Sequence, residues 1–280
     1  MNSTDALSAS VSSSSETVPF RPRRTRLLPA WALDILLTVA TAVVFVAAWE
    51  LTCRQLKVPA YLVPAPSAIW ADVTKNFGLI AGHTVATMRT VLLGFAASIV
   101  ISLPLAVVIV STPLLGNTIY PLLVLTQSIP KVALAPVLVV LLGTNEMPRV
   151  VITFLVAFFP LVLAIATGLN GVPAELIELG RVCRAGRWQE LVRIRLPYAI
   201  PFIFSGLKAA ITLSVVGAVV AEFVNADQGL GYLIVTSTAF FQVATAWAAL
   251  IVLSIMGIVL FQVIVIIERV FFPWALSSST

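Results

Sequence analysis

The chain has 280 residues, 60% hydrophobic and only 10% charged, with 17 Lys and Arg against 12 Asp and Glu, a net charge of +5. A mean hydropathy of +1.06 is far outside the range of soluble domains. Apolar runs here exceed about eighteen residues, enough to cross a hydrocarbon core of about 30 Å as helices, and runs this long exclude a β-barrel, whose strands are short and alternating.

The opening stretch is Ser-rich and then basic (SVSSSSETVPFRPRRTR) and too polar to bury a core, which predicts a disordered basic tail over 1–30. Arg23 and Arg24 also admit a twin-arginine secretory signal. The apolar run behind them is long enough to span and shows no small-residue cleavage site, so it is read as the first span. Six spans are expected at roughly 32–53, 85–110, 118–143, 150–169, 199–222 and 240–267, within a membrane domain over 31–270 and ahead of a short tail over 271–280. The fold class is therefore an all-α, polytopic membrane protein with six transmembrane helices. Cys53 and Cys183 fall on opposite sides of the membrane and imply neither a disulfide nor a metal site. Glu50, near the outer end of the first span, reads as interfacial, and His83, the sole histidine, as a solvated residue of an external loop.

The third span, YPLLVLTQSIPKVALAPVLVVLLG, is interrupted by Pro121, Pro130 and Pro136 and carries Lys131. Interior prolines release carbonyls and bend helices, and such breaks at membrane depth are tolerated where the backbone is buried in protein or lines a cavity. Pro130, Lys131 and Pro136 are thus candidates for a translocation path, the alternative being a structural kink with Lys131 snorkelling. Lys208 and Glu222 in the fifth span are candidates on the same ground, since ionisable groups in a span are functional by default; Glu222 also fits a boundary residue facing water. Gly229 and Gly231 are expected to turn a short external loop.

Between the fourth and fifth spans lies RVCRAGRWQELVRIRLP, which holds five of the Lys and Arg residues. Arginine at a helix centre costs about 2.5–3.5 kcal/mol, so five cost on the order of 15 kcal/mol and the segment cannot cross. Asn170-Gly171 ends the fourth span, Pro173 starts a helix with Glu175 and Glu178 in its first turn, and Leu176, Leu179, Val182 and Cys183 recur at helical spacing. After Arg184-Ala185-Gly186, the residues Trp188, Leu191, Val192 and Arg195 mark a second short helix. This pair reads either as a docking knob or as an interfacial pair lying on anionic lipid. With the N-terminus inside, ten basic residues fall on the cytoplasmic side and five (Arg54, Lys57, Lys75, Arg89, Arg149) outside, which assigns both termini to the cytoplasm.

The chain holds no GxxxxGK[ST] phosphate loop, no His/Cys/carboxylate cluster at metal spacing and no catalytic constellation. It also lacks an internal repeat, which weighs against a self-contained secondary transporter and favours a dimer with the path between protomers. A purely structural membrane subunit is the remaining class.

ELGRVCRAGRWQELVRIRLP resembles the EAA loop of bacterial ABC-importer permeases, in which an acidic residue, two small residues, a glycine six positions after the acid and a terminal I-x-L-P recur. Glu178, Gly180, Ile194, Leu196 and Pro197 fit; Leu179 replaces a small residue and Arg184 the glycine, with Gly186 expected to ease the turn instead. LVPAPSAIW, TMRTVLLGF, SIPKVALAP, LLGTNEMPRV and VVAEFVNADQGLGYLI are similar, in order, to segments of the sulfonate, taurine and nitrate branch, which also includes importers of pyrimidine precursors and riboflavin.

The resemblance implies the type I ABC importer permease fold as a homodimer in the bacterial inner membrane. It further implies two cytoplasmic ATPase subunits that bind ATP and Mg, an external substrate-binding protein, no cofactor in this chain and no nucleic acid. The coupling helix would lie at Arg184, Ala185, Gly186, Arg187, Trp188 and Gln189, with Arg181 beside it, Trp188 as hydrophobic anchor and the arginines as orienting contacts. Arg89, Lys131 and Lys208 suit an anionic solute, so an oxyanion is expected ahead of a heteroaromatic vitamin precursor.

Overall fold

A computed structural model describes residues 30–278; the expected disordered tail lies outside these residues apart from Ala30. The chain forms two compact units, 1–48 and 49–280. The described part of the first is the exposed, apolar body of α1 (Ala30–Gln55).

In the second unit α2 (Pro66–Lys75) precedes α3 (Phe77–Ser111), whose 35 residues reach about 52 Å. Then come α4 (Pro113–Gln127), a 3₁₀ turn (Lys131–Leu134), α5 (Ala135–Leu142) and α6 (Met147–Asn170). After α7 (Ala174–Val182), α8 (Arg187–Glu190) runs through a π-helical turn (Leu191–Arg195) into α9 (Leu196–Val224). α10 (Leu230–Ala239), α11 (Val243–Phe271) and a 3₁₀ helix (Pro273–Ser278) complete the chain.

Among the described residues five helices are long and apolar enough to cross a membrane, and the pair Thr118–Gln127 and Lys131–Leu142, bent by 81°, makes up to six. The third span, expected to be interrupted by its prolines, is thus two helices meeting at a sharp break. Pro130 has no N–H to continue the ladder and disfavours helical geometry at Ile129, whereas Pro136 sits harmlessly in the first turn of α5.

Lipid tails are as apolar as leucine, so the bundle is held by close approach and interhelical hydrogen bonds rather than by hydrophobic burial. α6 packs between α3 and α9. Ser98 and Ser102 Oγ on α3 donate to the Phe154 and Phe158 carbonyls of α6 at 3.2 and 3.3 Å. On the other face, a Cβ at Gly206 of α9 would meet Ala164 at 2.7 Å, and one at Gly168 of α6 would meet Phe202 at 2.6 Å. Lys208 of α9 forms an ion pair with the buried Glu268 of α11 at 2.5 Å.

Two expected loops are helical. His83 lies within α3, half-buried, and its Nδ1 accepts from the Gly229 N–H at 2.9 Å. Gly231, expected with Gly229 to turn a loop, lies in the first turn of α10. Glu50 is not merely interfacial: its carboxylate accepts from the Ser67 N–H and hydroxyl, at 3.0 and 2.7 Å, pinning the start of α2 to the end of α1.

Gly94 of α3 faces Thr153 so closely that a methyl group would overlap its side chain, while Gly82 on the same helix has nothing within 4 Å of an added Cβ. Gly94→Ala is expected to lower stability by about 1–3 kcal/mol through overpacking, and Gly82→Ala to raise it by up to about 1 kcal/mol through helix propensity, read as thermal midpoints in detergent.

Candidate functional site

The loop from Gly171 to Pro197 is built from the inside out. α7 buries Ile177 and Gly180 and exposes Leu176, Leu179 and Val182, the last 81% exposed. Glu178 and Arg181 lie exposed on the same helix. Gly180 is required by proximity, since a Cβ there would fall 2.7 Å from Ile194 of the π turn.

α7 ends in a Schellman motif. The Ala185 N–H donates to the Gly180 carbonyl and the Arg184 N–H to the Arg181 carbonyl, both at 2.9 Å. This geometry places the residue after the cap in the left-handed region, and that residue is Arg184, with φ of 55°. Gly186, expected to ease the turn, has a φ of −71° and instead caps α8, its N–H donating to Gln189 Oε1 at 3.1 Å. Arg184 therefore carries the strain that a glycine would relieve.

The expected second short helix is not separate. Pro197 has no N–H to give the Arg193 carbonyl, the ladder widens so that the Leu196 N–H reaches the Leu191 carbonyl, and Arg187–Val224 run as one 38-residue helical rod. Trp188 stands 73% exposed near its tip. Arg195, read from sequence as loop charge and as a marker of the second short helix, staples the loop to the bundle: its guanidinium pairs with Glu190 Oε1 through Nε and Nη2, at 2.8 and 2.7 Å, and donates to the Leu169 carbonyl at 3.2 Å. Leu196 and Pro197 open α9. All twelve loop residues singled out from sequence thus gather in one projecting segment.

The five path candidates do not gather. Pro130 and Lys131 sit at the break between α4 and α5, where Lys131 Nζ donates to the Gln127 carbonyl at 3.1 Å and lies 5.0 Å from the Phe159 ring centroid; Pro136 is in α5. Lys208 is held by Glu268, a carboxylate alone in the apolar run FQVIVIIERV that sequence reasoning passed over. Glu222, 2% exposed, lies at the far end of α9 and accepts from Thr87 Oγ1 at 3.0 Å and from the Gly231 N–H at 2.7 Å. Thr87 Oγ1 in turn accepts from the Leu230 N–H at 2.7 Å, and the buried Arg149 donates to the Gln228 carbonyl at 3.2 Å. Gly229, with φ of 124°, brings the backbone against the Glu222 carboxylate, where any Cβ would collide. Glu222, Thr87, His83 and Arg149 together clamp the turn between α9 and α10.

The model of the binding-protein-dependent transport system inner membrane component family matches residues 98–275, well over half of the chain. The chain belongs to that family. It is 32% identical over 227 residues to the formylaminopyrimidine transport permease protein ThiX of Halalkalibacterium halodurans, covering 81% of this chain and 90% of the relative. Identity to the riboflavin transport system permease protein RibX of Chloroflexus aurantiacus is 29% over 250 residues, 88% of this chain and 91% of that one. Identity to the putative aliphatic sulfonates transport permease protein SsuC of Bacillus subtilis is 26%, covering 92% of each chain. Among solved structures, an inward-facing MetNI methionine ABC transporter chain matches with a TM-score of 0.60 at 20% identity, over 69% of this chain and 96% of that one, a likeness of fold. This permease is a multi-pass membrane protein of the ABC importer class.

Relieving the left-handed arginine gives a direct check on the loop geometry. Arg184→Gly is expected to stabilise the protein by about 1 kcal/mol, whereas Gly186→Ala, with nothing within 4 Å of its added Cβ, is expected to change stability by less than that, both read by thermal unfolding.

Proposed function

We propose that two copies of this permease form the translocation path of an ATP-driven importer, seated by their loops on two cytoplasmic ATPase subunits that bind ATP and Mg, and loaded by an extracytoplasmic binding protein. Both termini then face the cytoplasm. The observation that carries this reading is the exposed apolar surface of the loop, Leu179 and Val182 on α7 and Trp188 at the end of a rod continuous with a span. A groove of about 680 Å³ beside it, walled by Leu179, Cys183, Ile194, Tyr198 and Trp274, offers the partner an apolar seat. An exposed tryptophan near such a groove suits an interface hot spot.

For the substrate, a heteroaromatic vitamin precursor is favoured over an oxyanion. Each cation that sequence reasoning offered to an anion is engaged: Arg89 with Glu146 at 3.2 Å, Lys208 with Glu268, Lys131 with a carbonyl and an aromatic ring. Relatives named for formylaminopyrimidine and riboflavin transport fit the same preference. On this reading Glu222 fastens the outer turn rather than lining the path.

Replacing Trp188 with Glu puts a charge into the apolar contact and is expected to weaken ATPase binding by at least about 2 kcal/mol, roughly 30-fold. The check is co-purification with the cognate ATPase together with substrate-stimulated hydrolysis in proteoliposomes. Full retention of both by a variant that melts like the parent contradicts the docking assignment.

A further inference from the structure

The segment 174–195 has a second side, turned toward the bundle. There Arg181, Arg187, Glu190 and Arg195 meet Val110 and Ser111 at the end of α3 around a cavity of about 210 Å³. Three guanidiniums face one carboxylate, and Glu190 is already taken by Arg195. Arg181 and Arg187 have no acidic partner among the described residues. Each offers five N–H donors in a planar fork suited to a phosphate.

The cavity adjoins a larger one of about 710 Å³, with which it shares Val110 and Arg195. Ile109 and Thr167, near the ends of α3 and α6, and Tyr120 and Pro121 of α4 line that second space, and its wall is mostly apolar. The two together form a cationic mouth opening on an apolar slot between three apolar helices, α3, α4 and α6. A free phosphate or nucleotide would fill only the mouth. A molecule with an anionic head and a hydrocarbon tail fills both.

We infer that this site binds an anionic phospholipid, its headgroup phosphate held by Arg181 and Arg187 and an acyl chain laid along Ile109 and Tyr120. The inference rests on the segment being cytoplasmic, where the leaflet's anionic lipids attract basic groups at the membrane surface. This cavity shares no lining residue with the Leu179, Cys183 and Ile194 groove, so the lipid braces the segment while leaving that seat open to the ATPase.

The test is native mass spectrometry of the permease with its ATPase, released from detergent and titrated with phosphatidylglycerol or phosphatidylcholine. Selective retention of phosphatidylglycerol is expected, weakened on the order of 30-fold in Arg181→Gln/Arg187→Gln and largely kept in Arg181→Lys/Arg187→Lys. Equal retention of the two lipids, or undiminished phosphatidylglycerol binding in the Gln pair, overturns the inference. So does displacement of the lipid by millimolar inorganic phosphate, which would mean that the tail contributes nothing.

Cys183, exposed on the same segment, separates this from the coupling-loop reading. A membrane-impermeant maleimide should label it in inverted but not in right-side-out vesicles. Labelling from the outside defeats the cytoplasmic assignment and the lipid site with it. Labelling from the inside alongside failed lipid selectivity defeats the lipid site alone.

Discussion

Gly168, Gly206 and Gly217 let α6 and α9 lie so close that a methyl group at any of them would press on the facing helix. In a bilayer, where apolar side chains gain nothing by leaving lipid for protein, this approach is what makes the two helices one body. The C-terminal end of α6 leads into α7, and the N-terminal end of α9 continues the rod that carries Trp188. Arg195 closes the join, its guanidinium reaching the Leu169 carbonyl that ends α6. At the other end the same rod reaches Glu222, which holds the first turn of α10. One helix of about 57 Å thus connects the loop to the clamped turn.

That rigidity gives physical content to coupling. Packed helices are bistable rather than continuously deformable, so a partner that binds one arrangement better shifts the whole bundle toward it. The bent pair α4–α5 is the counterpart element. Its 81° break leaves backbone that α6 must shelter, and Lys131 spans it by donating to the last carbonyl of α4 while resting on Phe159 of α6. A positive charge at a helix C-terminus offsets the partial negative charge there, which accounts for a lysine in an otherwise apolar span.

Much of this was legible in the sequence because membranes impose strong patterns. Long apolar runs located the spans, the arginine-rich loop stood out by insertion cost, and Pro130 marked the break. What escaped was pairwise. Lys208 was visible and Glu268 was visible, but sixty residues of sequence hid that they meet. His83 and Gly231 looked like loop because polar and glycine residues at a span's edge carry no signal of the long-range bonds that His83, Thr87 and Glu222 make to the 229–231 backbone. At the loop, Gly186 drew the turn because glycine is cheap in left-handed geometry. The hydrogen-bond register from Gly180 fixed that geometry two residues earlier, on Arg184.

The central claim is that the bundle moves only when driven through the loop. Uptake into proteoliposomes holding this permease, loaded binding protein outside and ATP within, measures it directly, with and without the ATPase. Accumulation that needs both ATPase and ATP, and that vanishes when either is left out, is the predicted result. Accumulation by the permease alone under a proton or sodium gradient would contradict the account.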